Sequence, residues 1–479
     1  MTHTAPPASP VSHIGWLPYI VAATFFMEYL DTTVIATALP QMAHSFGVGP
    51  NSLSLGMTAY MLALAIFIPA SGWVADRCGS RTVFFSAIVV FTLASVLCGV
   101  SQNVVEFTAA RVLQGIGGAM MVPVGRLIVV RSTEKSRLMQ AISTITWPAI
   151  VAPVVGPPIG GFITTYASWR WIFLLNVPFG LAVLAAVVAL VPNLRGGERR
   201  PLDVVGLVLS GTALTAILYG AELASQPGDN AWQAAGLVVA GVVVGWIAFR
   251  HARNHPHPLI DVSTLKIPTF SVTIVTGSLT RIGIGAVPYL MPLLFQIGFG
   301  LSAFKSGLLL LVSALGNLTM KALTTRILRR FGFRYVSIVD VALAGLFIVA
   351  IGLLTPATPL VLVLIVIFVY GVGRSMQFSL LATLAYADVP QPQMNAASTL
   401  WSAAAQMTIG LGIAFGAVSL RVGALLNGEA SGHAFTLDDF RLAFLFAGVV
   451  TLVSVIGYMR MAHNAGQSVG GGALRQNAS

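Results

Sequence analysis

Charge is what this chain has least of. Only 9% of its 479 residues are Asp, Glu, Lys or Arg, against about a quarter in a soluble globular domain. So little charge cannot clothe a water-facing surface, which excludes an ordinary soluble protein and points to a membrane protein. Cysteine is almost missing, with Cys78 and Cys98 the only two. Cys78 falls in a short basic loop and Cys98 in an apolar run, so both are expected as free thiols near opposite membrane faces, without a disulfide framework. The first fifteen residues hold no Lys or Arg and no small-residue cleavage site. The first apolar stretch is therefore expected to be an uncleaved span. No phosphate-cradling glycine loop, metal-ligand cluster or nucleophile–base pair is found, so no enzyme chemistry, cofactor or metal is expected. His255-Pro256-His257-Pro258 is the one metal-like run, and its prolines make it a loop rather than a helical ligand face.

Apolar length is what the chain has in abundance, with 56% hydrophobic residues and a mean hydropathy of +0.86. A helix needs about 20 apolar residues to cross about 30 Å of hydrocarbon. Fourteen such stretches are expected: 16–40, 52–73, 82–100, 104–128, 140–164, 169–192, 203–222, 231–250, 268–297, 303–323, 335–355, 359–383, 394–424 and 437–461. The formal charge of +11 and the pI near 10.1 are better explained by basic cytoplasmic loops than by nucleic acid, which is not expected as a partner. With the N-terminus inside, nineteen Lys and Arg residues fall on cytoplasmic loops and span ends, among them Arg195, Arg199, Arg200, Lys135 and Arg475; four fall outside, Arg170, Lys305, Arg421 and Arg441. That bias places both termini in the cytoplasm.

A repeat is visible inside the chain. Gly72-Trp73-Val74-Ala75-Asp76-Arg77-Cys78-Gly79-Ser80-Arg81 follows span 2, and Thr325-Arg326-Ile327-Leu328-Arg329-Arg330-Phe331-Gly332-Phe333-Arg334 follows span 10. Both set a Gly ahead of a final Arg in a short basic loop, eight spans apart. The expected organisation is all-α: a cytoplasmic tail (1–15), a six-helix bundle (16–192), an inserted helix pair (203–250), a second six-helix bundle (268–461) and a cytoplasmic tail (462–479). Two parallel halves that rock about a central site are the architecture of a secondary transporter.

Five motifs in chain order now carry a resemblance. Leu30-Asp31-Thr32-Thr33-Val34-Ile35-Ala36-Thr37-Ala38-Leu39-Pro40 lies in span 1, and Gly72 to Arg81 follows span 2. Arg111-Val112-Leu113-Gln114-Gly115-Ile116-Gly117-Gly118 lies in span 4, Gly156-Pro157-Pro158-Ile159-Gly160-Gly161 in span 5, and Trp169-Arg170-Trp171-Ile172-Phe173-Leu174-Leu175-Asn176-Val177-Pro178 opens span 6. Together they resemble the drug:proton antiporter-2 family, the fourteen-span EmrB/QacA-like branch of the major facilitator superfamily, over nearly the whole chain. The resemblance implies a major facilitator fold with two added helices and a proton-coupled exporter in the bacterial inner membrane. Its implied partners are a small-molecule substrate, protons and the bilayer, and the implied working form is a monomer. One departure stands out: Thr325 leaves the second-half loop without an acid to match Asp76.

Acids and cations inside a membrane are costly and mark function by default. Glu28 and Asp31 stand three apart on one helix and so share a face. At about 1.5 Å per residue, Asp31 lies about 14 Å and Arg111 about 10 Å below the outer surface, near enough in depth to pair. Burial raises a carboxyl pKa and a nearby Arg lowers it, so a pair that opens and closes can take up and release a proton. Asp31, Glu28 and Arg111 are therefore the expected proton-coupling set; a static ion pair is the alternative. By the resemblance, spans 1, 4, 9 and 12 line the cavity, and they also carry Arg281, Arg374, Gln377 and Gln114, the expected substrate contacts. Asp340 falls about 8 Å into span 11, level with Arg374, and a structural Asp340–Arg374 pair is expected.

For gating, Gly72, Asp76, Arg77 and Arg81 are expected to latch one face, with Asp76 on a helix N-terminus and the arginines across the bundle interface. Gly156, Pro157, Gly160 and Gly161 are expected to allow close approach and bending. Arg281 and Arg374 favour an alternative cargo, organic anions such as carboxylates or their metal chelates. A non-transporting membrane sensor or scaffold is the alternative of another class, and it explains neither the buried charges nor the repeat.

The topology has a direct check. A reporter fused after Ser479 should read cytoplasmic and one fused near Gly228 periplasmic; if both read the same side, the inserted pair is misassigned.

Overall fold

A computed structural model describes residues 15–133, 137–194, 201–226, 230–390, 393–428, 435–462 and 465. Lys135, Arg195, Arg199, Arg200, Gly228, Arg475, Ser479 and nearly all of both tails lie outside the described residues. Among the described residues, fourteen helices are long and apolar enough to cross a membrane. They are α1 (Leu17–Thr37), α2 (Pro50–Cys78), α3 (Ser80–Val100), α4 (Val104–Ser132), α5 (Gln140–Tyr166), α6 (Arg170–Leu190) and α7 (Val204–Ser225). After these come α8 (Ala231–Asn254), α9 (Pro268–Gly298), α10 (Ala303–Phe331), α11 (Phe333–Gly352), α12 (Leu360–Ala387), α13 (Ala396–Leu426) and α14 (Leu437–Met459). Each coincides with an expected span. Several helices, notably α2, α4, α10 and α12, run past the apolar stretch, because charged and small residues end the hydrophobicity without ending the helix.

An even number of crossings puts Leu17 and Met459 on one face, here termed the terminal face; the other is the far face. α1 packs on α5, α2 and α3 on α4, and α3 on α6; eight helices later α9 packs on α13, α10 and α11 on α12, and α11 on α14. Between the halves, α5 lies against α10 and α2 against α13. α7 fits against both α2 and α13, whereas its partner α8 stays outermost, with Trp232, Val239, Val242 and Trp246 exposed.

The end of the inserted pair on the terminal face is closed by one carboxylate. Asp203 caps α7, accepting from the Gly206 amide at 2.8 Å, and also takes the Leu259 amide at 3.1 Å and His251 Nε2 at 2.8 Å. Burial works against its charge, but these three bonds outweigh burial and hold Asp203 below the usual carboxylate range. His255 stands within 4.8 Å of both side chains. Helix pairing thus brings an acid beside His255 of the histidine–proline run.

The repeated loop is tighter than its sequence implies. Gly79 alone separates α2 from α3, with φ 94°, and Gly332 alone separates α10 from α11, with φ 78°. Left-handed backbone of this kind strains any residue with a Cβ by about 1–3 kcal/mol. A Cβ at Gly79 would also overlap the Asn193 amide, while Gly332 faces open space. Gly79→Ala should therefore lower the melting temperature of detergent-solubilised protein more than Gly332→Ala does. Equal losses would show that the Asn193 contact is dispensable.

Candidate functional site

The polar centre of the first half is assembled by small residues that bring helices close. Gly115 and Gly117 belong to α4: an added Cβ on Gly115 would sit 2.7 Å from the Tyr60 carbonyl of α2, and one on Gly117 would sit 2.8 Å from the Phe91 amide nitrogen of α3. α4 is thereby drawn in until Arg111 and Gln114 reach α1. Arg111 Nη1 donates to Asp31 Oδ2 at 2.6 Å, and both side chains are shielded from solvent. Gln114 Nε2 donates to Asp31 Oδ1 at 2.9 Å and Asn176 Nδ2, on α6, donates to the same oxygen at 3.0 Å. Gln114 Nε2 also donates to Ser95 Oγ at 2.8 Å, its Oε1 accepts from Arg111 Nη1 at 2.6 Å, and Asn176 Nδ2 reaches Ser95 Oγ at 3.2 Å. The guanidinium lies 4.2 Å from the centre of the Tyr60 ring. Five helices thus meet around one carboxylate, which Arg111 neutralises and two amides hydrogen-bond.

Glu28, one turn earlier on α1, is buried with Oε2 unpartnered, and it belongs to none of the ion pairs among the described residues. It lies beside Gly118 and the Tyr60 hydroxyl; a Cβ on Gly118 would stand 3.5 Å from its carboxyl carbon. The two carboxyls of the coupling set therefore differ sharply. Asp31 is tied to a cation, and Glu28 is not.

The second half carries the opposite charge. Arg281 is buried on α9, its guanidinium 3.9 Å from the centre of the Trp401 ring and 5.7 Å from that of Phe378, with Nε unpartnered. Arg374 approaches the same Phe378 ring at 5.7 Å. Neither arginine has a carboxylate within salt-bridge distance among the described residues. The expected Asp340–Arg374 pair does not form. Gly373 is the α12 residue that faces Asp340, its Cβ position 3.5 Å from Oδ1; Arg374, about 100° further round the helix, turns away to Phe378. Equal depth was satisfied, and direction was not. Asp340 is left without a cation, with the side chain of buried Gln377, also on α12, beside it. Neither Glu28 nor Asp31 pairs with Arg281: Asp31 is bound to Arg111, and Glu28 is in no ion pair among the described residues.

Gln114, an expected substrate contact, is fully buried and bonds Arg111 and Asp31. Two further expectations are corrected. Asp76 is on no helix N-terminus: it pairs with Arg131, in the last turn of α4, at 2.8 Å. Arg77 lies over Trp73 at 5.5 Å, and Arg81 donates to the Val188 carbonyl at 2.6 Å, so both stay inside the first half. Nothing crowds Gly72. The α5 glycines do lie at close approaches. A Cβ at Gly156 would overlap the Thr33 hydroxyl, one at Gly160 would meet the Val34 carbonyl at 2.6 Å, and one at Gly161 would overlap the Ala303 carbonyl of α10. From the same stretch, the Pro157 carbonyl lies where a Cβ on Gly307 of α10 would overlap it. α5 is therefore clamped between α1 and a helix of the other half.

Sequence reasoning assigned no role to Asn176, Ser95 or Glu222. Asn176 and Ser95 are lone polar residues in apolar stretches, which is the signal that marks them. Glu222 fell on the expected boundary of its span; α7 continues to Ser225 and encloses it.

The chain's relatives agree with this geometry. Residues 21–417 match the model of the Major Facilitator Superfamily. A protein of Serratia proteamaculans (strain 568), provisionally named multidrug resistance protein MdtD, is 38% identical over 436 residues, covering 91% of this chain and 90% of the relative. Among solved structures, the inward-facing, occupied form of a bacterial homologue of the human lysosomal transporter Spinster superposes with a TM-score of 0.68 at 14% identity, covering 95% of this chain and 97% of that one. The D-xylose–proton symporter superposes with a TM-score of 0.66 at 14% identity over 95% and 99%. With its family match, fourteen membrane-length helices and repeated packing, the chain belongs to the Major Facilitator Superfamily as a multi-pass membrane transporter.

Proposed function

We propose that this transporter exports drug-like small molecules in exchange for protons, as a monomer with both termini in the cytoplasm. One observation carries the reading: Asp31, shielded from solvent, is bound to Arg111 at 2.6 Å beside a second buried carboxyl, Glu28, that has no cation. Leaving either member of a buried pair unpartnered costs about 3–5 kcal/mol. A cycle that separates α1 from α4 therefore has to neutralise one of them. A proton on Asp31 does so, since it cancels the carboxylate charge and lets Arg111 withdraw onto Tyr60. Glu28 lies where it can relay that proton. The multidrug-resistance name of the Serratia relative supports drug-like cargo and the outward direction.

Asp31→Asn keeps the shape and loses the titration. In inverted vesicles with an imposed pH gradient, it should reduce uphill accumulation of a transported dye at least tenfold. Exchange down a substrate gradient should survive. Undiminished uphill transport would remove Asp31 from the mechanism and leave Glu28 as the carrier.

A second reading, export of organic anions, is favoured by Arg281 and Arg374, two guanidiniums around Phe378 with no carboxylate partner. An uncompensated guanidinium at the membrane centre costs at least about 2.5–3.5 kcal/mol, which a substrate carboxylate would offset. Lys does not reproduce the planar fork that binds a carboxylate and stacks on Trp401. Arg281→Lys should then cut transport of carboxylate substrates tenfold or more while sparing neutral and cationic ones, as measured in parallel uptake assays. An equal loss for every substrate would make Arg281 structural.

A further inference from the structure

The inserted pair contributes a fully buried acid that the coupling scheme leaves unused. Glu222, on α7, has no exposed surface. Its carboxyl oxygens lie 2.9 and 2.8 Å from Ser54 Oγ on α2. The four ion pairs among the described residues do not include it. Ser54 Oγ also donates to the Asn51 carbonyl at 2.6 Å. Asn51 in turn is the knot of the far-face seam. Its Nδ2 donates to the Ala417 carbonyl of α13 at 3.1 Å and reaches the Ser225 carbonyl of α7 at 3.5 Å, while Tyr289 of α9 donates to its Oδ1 at 2.7 Å. Two further bonds close the seam alongside: Gln296 Nε2 to the Thr37 carbonyl at 3.1 Å, and the Phe304 amide to Thr165 Oγ1 at 3.0 Å.

Counting hydrogens decides the state of Glu222. Ser54 has a single hydroxyl hydrogen and two acceptor neighbours, the Asn51 carbonyl and the Glu222 carboxyl. Both contacts are filled only when the carboxyl brings its own hydrogen and donates it to Ser54 Oγ. As a carboxylate, Glu222 would empty one of them and leave a buried charge without a cation. On its own helix the neutral side chains of Ser225 and Gln226 also face the carboxyl, but no group around it brings a positive charge. α2 offers Asn51 and Ser54, and α9 offers the neutral Tyr289. The facing end of α8, Asn230 to Ala234, holds no titratable residue. Arg421 of α13, one turn past Ala417, is engaged in an interaction of its own and forms no ion pair with Glu222.

We propose that Glu222 is a proton-binding site on the inserted helix pair, and that its protonated form holds the far-face seam shut. Closing consumes one proton: carboxylate and proton combine, the new O–H donates to Ser54, and Ser54 keeps Asn51 in place against α9 and α13. Loss of the proton withdraws that donor, and the charge draws water into the seam. The inference rests on the exchange reading above only for its direction, in which protons taken up at the far face return the protein to a state open on the terminal face.

The test reads the seam without substrate or gradient. Met57, one turn from Ser54 on α2 and 6% exposed, is replaced by Cys in the full chain, in nanodiscs. Its reaction with a soluble maleimide is followed from pH 6 to pH 9, after subtracting the parent protein with Cys78 and Cys98. The same reporter is placed on Glu222→Gln, whose amide donates to Ser54 as the acid does. Ionisation of the reporter thiol raises both rates alike, so their ratio reports opening. The ratio of native to Glu222→Gln should rise at least tenfold across this range. Parallel profiles would overturn the proposal. Ser54→Ala, which keeps the carboxyl and removes its acceptor, serves as the second variant; it should react fast already at pH 6, and slow, native-like reaction there would also overturn the proposal. If Asp31→Asn transports uphill normally while the ratio still rises, the coupling role of Asp31 falls and the Glu222 site stands.

Discussion

Hydrocarbon offers no hydrogen bonds, and nearly everything distinctive about this protein answers to that fact. Backbone polarity is satisfied inside helices, so the chain folds as membrane-length helices. Side-chain polarity has to be satisfied between them. Threonines bond their own helix, as Thr33 does with the Tyr29 carbonyl at 3.0 Å, and the remaining polar groups collect where several helices meet. An ionised side chain at mid-membrane costs at least about 2.5–3.5 kcal/mol. Buried charge is therefore sparse here, and each instance either has a partner or stands at a place where something else can supply one.

The two halves resolve this constraint in opposite ways. In the first, Asp31 is enclosed by Arg111, Gln114 and Asn176, and Glu28 waits one turn away. In the second, Arg281 and Arg374 gather around aromatic rings rather than acids. The packing pattern repeats, but the charges do not. The first half thus holds one buried carboxyl more than it has buried cations, whereas the second half gathers Arg281 and Arg374 around rings. The inserted pair is tied into this scheme through α7, which touches both halves at α2 and α13.

Small residues make these arrangements possible. Gly115 and Gly117 bring α4 within bonding distance of α1, and Gly156, Gly160 and Gly161 let α5 lie between α1 and α10. Contact of this closeness gives rigid surfaces that can slide or rock as units.

By itself, the sequence determined the number and order of the helices, the repeat and the helix that carries each buried charge. Each of these follows from local hydrophobicity and from motifs that are continuous along the chain. Depth was legible too, because the rise per residue is constant, and so the meeting of Asp31 with Arg111 could be anticipated. Direction was not legible. Whether Arg374 faces Asp340 or Phe378 turns on about 100° of helix rotation, which is set by how α11, α12 and α9 pack. The tertiary structure alone decided that Gln114 and Asn176 bond Asp31, that Asp76 meets Arg131, that Asp203 joins His251 from 48 residues away, and that Glu222 sits inside a seam. Those partners lie on different helices, and only close packing between helices chooses them.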